Sequence, residues 1–325
     1  MSPASDATSD PLAPDAAPPA ALAKTRPFYW SVRRELWENR SVYLAPLTVA
    51  GLGLLGFLFS LHGLPHAVRA AKVAAAASAA LPADAALAKV AARAAGSLAI
   101  PYDFVTGVIF LAALAVAIFY SLAALHGERR DRSILFWKSL PVSDLTTVLS
   151  KVAVPLVVQP LVVFVVVIPV HLVMLAMGTA VLSLNGLDPS VLWTHAHLLK
   201  IWLTLPYGLV VLSLWYAPIC GWLMLVSAWA KRTPILWGLG APLGLCLFEY
   251  LAFRTQYLWQ LLLYRLRGGF AEAFTVGGEG RVPINGPEQI DLTRFLSLPG
   301  LWAGLVFFVA CIAACVWLRR RREPI

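Results

Sequence analysis

Charge is scarce in this sequence. Asp, Glu, Lys and Arg make up 13% of its 325 residues, about half the roughly 25% of an ordinary soluble domain. So few ionic groups cannot coat a folded surface of this size in water, which excludes a soluble globular protein. Chemistry-bearing patterns are also missing. No Ser–His–Asp order, His-Glu-x-x-His stretch or pair of carboxylates inside an apolar run occurs, so an integral membrane enzyme has no support here. His195-Ala196-His197 offers two imidazoles without a third ligand at metal spacing, and no metal site is expected. Cysteine is sparse as well. Cys220, Cys246, Cys311 and Cys315 all lie inside apolar runs, where buried thiols are expected rather than disulfides or metal ligands.

Apolar sequence is what remains. Hydrophobic residues make up 59% of the chain and mean hydropathy is +0.74. They come in uncharged runs of about 20 residues or more, long enough to cross a hydrocarbon core of ~30 Å. The net charge of +9 does not mark a nucleic-acid surface, because its basic residues flank apolar runs, as in Lys231-Arg232 and Arg319 to Arg322. The sequence predicts an all-α, multi-pass membrane protein.

Residues 1–26 are rich in Pro, Ala, Ser and Asp, lack a signal-peptide pattern, and are expected to be a disordered tail. A single transmembrane domain follows over 27–325. It opens with an interfacial helix whose apolar face is expected to carry Phe28, Val32 and Leu36, and whose polar face Arg33, Arg34 and Glu38. Six spans are expected at about 41–61, 104–125, 148–182, 203–229, 234–253 and 299–318. The first closes at His62-Gly63-Leu64-Pro65. Pro155, Pro160 and Pro169 in the third, with Pro206 and Pro218 in the fourth, predict kinks. With both termini cytoplasmic, sixteen of the 26 Lys and Arg residues fall on the inside, clustered beside span ends. Two helical outer insertions follow from this layout. Residues 66–98, Ala-rich and broken near Pro82, predict two short helices with Asp84 as a cap. Residues 254–270, mixing aromatics, leucines and arginines, predict a helix at the outer interface.

The connection between spans two and three is longer than topology requires. It runs from a charged head (Glu128, Arg129, Arg130, Asp131, Arg132) through an apolar group (Ile134, Leu135, Phe136, Trp137) to Ser139-Leu140-Pro141-Val142-Ser143, a turn that also offers a helix N-cap. By pattern it is either a docking helix for another protein or an amphipathic segment lying on the inner leaflet.

Glu128, the Ser139-Leu140-Pro141-Val142-Ser143 turn and Lys151 at the start of the next span resemble the first intracellular loop of the type-2 exporter permeases of ATP-binding cassette transporters. The layout over roughly 27–325 is similar too, although the outer segment between spans one and two is longer than in that family and the polar loop near 275–297 has no counterpart. The resemblance implies a bacterial plasma (inner) membrane protein that pairs with a second permease copy or paralogue and with two ATPase subunits, which would hold the ATP and Mg. This chain has no Gly-x-x-x-x-Gly-Lys-Ser/Thr phosphate loop and is expected to hold no cofactor of its own. Residues 128–144 would then form the coupling helix. Leu135, Phe136 and Trp137 would be its apolar anchors, with Arg129, Arg130, Asp131 and Arg132 at its polar rim. A different class of function, a mechanical or signalling subunit driven by the same ATPase lever without translocation, is kept open by the outer insertions.

Four further residues are candidates for a pathway. Glu249, the acidic residue of an apolar span, either lines a pathway or anchors the outer interface with Arg254 as partner. His171 either bonds a carbonyl freed by Pro169 or lines a cavity. Trp215 and Tyr216 lie in the aromatic-rich fourth span, clear of its interfacial ends.

Overall fold

The computed structural model describes residues 26–80, 85–131, 142–195, 198–274 and 286–321. Among them the chain is helical, with one isolated antiparallel bridge between Phe274 and Ile290. The elements are α1 (Pro27–Glu38), α2 (Ser41–Ser60), α3 (Leu64–Ala80), α4 (Ala85–Ser97), α5 (Ile100–Ala123), α6 (His126–Arg130), α7 (Asp144–Ala153), α8 (Gln159–Leu184), α9 (Ser190–His195), α10 (Leu198–Trp229), α11 (Pro234–Phe253), α12 (Tyr257–Ala273), α13 (Leu292–Ser297) and α14 (Pro299–Arg321). Six helical stretches are long and apolar enough to cross a membrane. They are apolar all round, and much of their outward surface is bare leucine and phenylalanine, such as Leu52, Phe59 and Phe248. Only lipid or another apolar surface matches that exterior.

The expected breaks take specific forms. The first span ends in a 3₁₀ turn over Leu61–Gly63 before α3 begins, with Pro65 in its first turn, where a missing N–H costs nothing. The Asp84 cap and residues 1–25 lie outside the described residues. In the third span Pro155 sits in one π-helical turn, Val154–Val158, that joins α7 to α8. Pro169 stays inside continuous α8. The stretch from Asp144 to Leu184 has 41 residues and is therefore roughly 60 Å long, about twice the hydrocarbon core.

Two prolines strand carbonyls that other helices then satisfy. Pro46 of α2 has no N–H for the carbonyl four residues back, Val42, and the buried Gln159 of α8 donates to it from Nε2 at 3.2 Å. Pro242 of α11 frees Gly238 in the same way, and Trp222 Nε1 of α10 donates at 2.9 Å. Each proline thereby ties its helix to a neighbour. Small residues bring α10 and α14 together. A Cβ on Gly221 would lie 2.8 Å from the Phe308 ring, so only glycine permits that approach.

Phe28 and Leu36, expected on one face of α1, differ in their surroundings. Leu36 packs inward against a cluster of Val42, Tyr120, Val148, Met224 and Cys315. Beside it Glu35, 1% exposed, also points inward, while Phe28, Tyr29, Trp30 and Trp37 face out. Arg33 lies over the rings of Trp30 and Trp37, 5.2 and 4.7 Å from their centroids. The inward face carries a carboxylate because the neighbouring helices supply its counter-charges.

Candidate functional site

Those counter-charges form a buried ion cluster where α1, α5, α6, α7 and α14 meet. The Lys151 ammonium on α7 lies 2.8 Å from Glu35 Oε1 and 3.1 Å from Glu128 Oε1, with its side chain 3% exposed. Glu35 also accepts from Arg34 Nη2 and from the Tyr120 hydroxyl, both at 2.8 Å. Arg34 reaches on to Glu128 at 3.4 Å. Arg319 of α14 donates from Nη1 to Glu128 Oε2 and from Nε to Asp144 Oδ1 at 3.0 Å. Arg34, Lys151 and Arg319 thus face Glu35, Glu128 and Asp144, three charges of each sign. Burial acts to raise the Glu35 carboxyl, but the Lys151 charge and hydrogen bond, with the bonds from Arg34 and Tyr120, hold it below the ordinary glutamate range.

The cluster places two ends of one connection in a single grip, because Arg319 holds both Glu128 and Asp144. The α6 side is held further. Ser227 Oγ accepts from the backbone N–H groups of Leu125 and His126 at 3.1 and 2.9 Å, and Arg129 Nη1 donates to the Ala228 carbonyl at 2.7 Å. On the other side Ser143 is the N-cap of α7, its Oγ accepting from Thr146 N at 3.1 Å. The stems of the 128–144 connection are therefore fixed to the ends of α5, α7, α10 and α14. Arg130 and Asp131 are exposed and pair with each other at 3.0 Å. Arg132, Leu135, Phe136, Trp137, Ser139, Leu140 and Pro141 lie outside the described residues.

The four pathway candidates are not brought together. His171 is fully buried, and its Nδ1 accepts from Trp202 Nε1 at 3.1 Å. The proton must then sit on Nε2, which faces the Tyr102 carbonyl at 3.2 Å and Thr106 Oγ1 at 2.9 Å. That links α5, α8 and α10, through the Tyr102 carbonyl rather than one freed by Pro169. Glu249 accepts from Thr255 Oγ1 and from the N–H groups of Tyr257 and Leu258, all at 2.8 Å. It caps the N-terminus of α12 from the end of α11. Arg254 lies over the Tyr250 ring instead, 5.8 Å from its centroid. Trp215 is fully buried and donates from Nε1 to the Arg265 carbonyl at 2.8 Å. Tyr216 alone of the four lines a cavity of about 50 Å³, beside Phe110, Pro155, Gln159, Ser213 and Cys220.

Comparison with protein-family models, with curated proteins and with solved structures finds no match for the chain. The four cysteines are free and buried. Among the described residues no group of three His, Cys, Asp or Glu could hold a metal. The roles of Glu35, Asp144 and Arg319 escape sequence reasoning. Glu35 and Lys151 are 116 residues apart, and Arg319 and Glu128 are 191 apart. The available signal was the charges themselves, since few ionisable residues stand beside apolar spans without a reason.

Proposed function

We propose that this chain is the membrane-spanning subunit of an ATP-driven exporter, similar to the type-2 permeases of ATP-binding cassette transporters. ATP would be hydrolysed by separate partner subunits, and the chain would pair with a second permease copy or paralogue in a bacterial inner membrane. The observation that carries this reading is the double grip of Arg319 on Glu128 and Asp144. A segment that only rests on a membrane surface needs no rigid base. A segment that must transmit a push does, and this base is joined through Lys151 and Glu35 to the interfacial helix and through Arg319 to the last span. In this reading both termini and the cluster face the cytoplasm, and α3, α4 and α12 lie outside. Closure of the ATPases around bound ATP would shift the bundle between inward- and outward-open states.

The test is docking. Phe136→Asp or Trp137→Asp should abolish copurification of the ATPase while the permease still inserts. A charge in a docked apolar pocket costs several kcal/mol, a loss of about a hundredfold or more in association. Wild-type recovery of the ATPase with both variants would refute the proposal. A second reading, a mechanical subunit driven by the same ATPase and acting on an extracytoplasmic partner, is favoured by two features. They are the 41-residue Asp144–Leu184 stretch that outreaches the membrane and the small volume, about 50 Å³, of the cavity beside Tyr216.

A further inference from the structure

At the end of the bundle opposite the ion cluster, an arginine stands without a counter-charge. Arg265 of α12 donates from Nη2 to the Gly300 carbonyl at 2.7 Å and from Nη1 to the Trp215 carbonyl at 3.4 Å. Its guanidinium lies 4.5 Å from the centroid of the Trp215 ring. The space is kept by Gly304, where a Cβ would fall 2.1 Å from Nη2. The group is thus built into the packing of α10, α12 and α14. The buried cations of the ion cluster meet carboxylates, and Arg129 meets a helix-end carbonyl. Among the described residues no carboxylate lies within ion-pair distance of Arg265, and the nearby Glu272 is taken by Arg294 at 3.1 Å.

Depth identifies the missing anion. Gly300 and Arg319 share α14, nineteen residues apart, so the Arg265 site lies ~28 Å along the helix from the ion cluster. That is the thickness of the hydrocarbon core, which puts Arg265 at the opposite lipid–water boundary. Glu249, sixteen residues into the 20-residue α11, places the start of α12 at the same boundary. Around Arg265, α12 turns Leu261 and Leu266 outward, 64% and 54% exposed, with Trp259 and Tyr264 also exposed. Acyl chains match those side chains, and a phosphate at this level would accept from the guanidinium N–H groups that the Gly300 and Trp215 carbonyls leave unused.

We propose that Arg265 binds the phosphate of a phospholipid in the leaflet opposite the ion cluster, with Trp215 fixing the guanidinium and the leucines of α12 receiving the acyl chains. The inference is independent of whether the chain exports anything. The purified, delipidated protein would be titrated with phosphatidylglycerol, with diacylglycerol and with inorganic phosphate, reading thermal stability and the phospholipid retained per protein by native mass spectrometry. Phosphatidylglycerol should stabilise and remain bound, and the other two should do neither. Arg265→Gln should weaken that binding about tenfold or more, the worth of a charge-assisted hydrogen bond, while Arg267→Gln on exposed helix surface should not. Full stabilisation by phosphatidylglycerol in the Arg265→Gln protein would overturn the proposal. So would an equal response of the wild type to inorganic phosphate or to diacylglycerol. If Arg265→Gln fails to insert, the wild-type titration decides: no phosphatidylglycerol retained after it is added back refutes the site.

Discussion

Replacing Lys151 with methionine tests whether the ion cluster holds the bundle together. Methionine keeps the length and apolar stem but removes the ammonium that sits 2.8 Å from Glu35 and 3.1 Å from Glu128. Removing one partner from a buried ion pair costs about 3–5 kcal/mol, because the abandoned charge stays desolvated. Arg34 and Arg319 still face the two carboxylates, so the lower end applies, about 3 kcal/mol. That corresponds to a fall of roughly 6–12 °C in the unfolding midpoint. The protein carries its own reporters, since Cys220, Cys246, Cys311 and Cys315 are free and buried and will react with a thiol-specific dye as the bundle opens. Glu35→Leu alone should cost a similar amount. The double variant Glu35→Leu/Lys151→Met should cost less than the sum, by at least about 1 kcal/mol, because neither charge is then left without the other. A midpoint within about 2 °C of wild type for Lys151→Met, or strict additivity of the two losses, would refute this account of the cluster.

Three further outcomes are expected. Because the Glu35 carboxyl is held below its ordinary range, its contribution is complete above the unfolded value of ~4.3. It is lost only as pH falls through the lowered one, so the wild-type midpoint should be flat in this respect from pH 5 to 8 and should drop in stronger acid; a loss on going from pH 7 to 5.5 that disappears in Glu35→Gln would contradict it. His171→Ala removes the acceptor of Trp202 and the donor to Tyr102 from a fully buried site, and should cost about 2–5 kcal/mol by the same thiol assay. In intact cells Ser143→Cys should be shielded from an impermeant thiol reagent and Gly280→Cys labelled, and the reverse pattern would invert the topology.

The spans were legible because each is a run of uncharged residues, and a run is a local property of the chain. The helix pair at 64–80 and 85–97 was legible for the same reason, from alanine and a proline-marked break. What could not be read were matters of pairing. Nothing near Glu35 announces Lys151, and the periodicity of α1 grouped Phe28, Val32 and Leu36 on one apolar face without showing that Glu35 would be the buried residue of the helix. Glu249 was visible as an odd charge in an apolar span, but its use as a cap for α12 depends on α12 folding back over the end of α11. At Pro46 and Pro242 the missing donors can be read from the prolines themselves. The identity of the groups that replace them, Gln159 and Trp222, belongs to other helices.

The replaced donors also bear on the order in which this protein is built. The Gly238 carbonyl freed by Pro242 meets a donor, Trp222, that lies 16 residues earlier and is already in place when α11 enters the bilayer. The Val42 carbonyl freed by Pro46 waits for Gln159, which is made 117 residues later. At 5–20 residues per second that delay is roughly 6–23 s. Val42 is the second residue of α2 and packs beside Tyr120 and Val148. Until α8 arrives, α2 carries a carbonyl without the donor it has in the finished fold. The first span to be synthesised is then completed only by a side chain of the third.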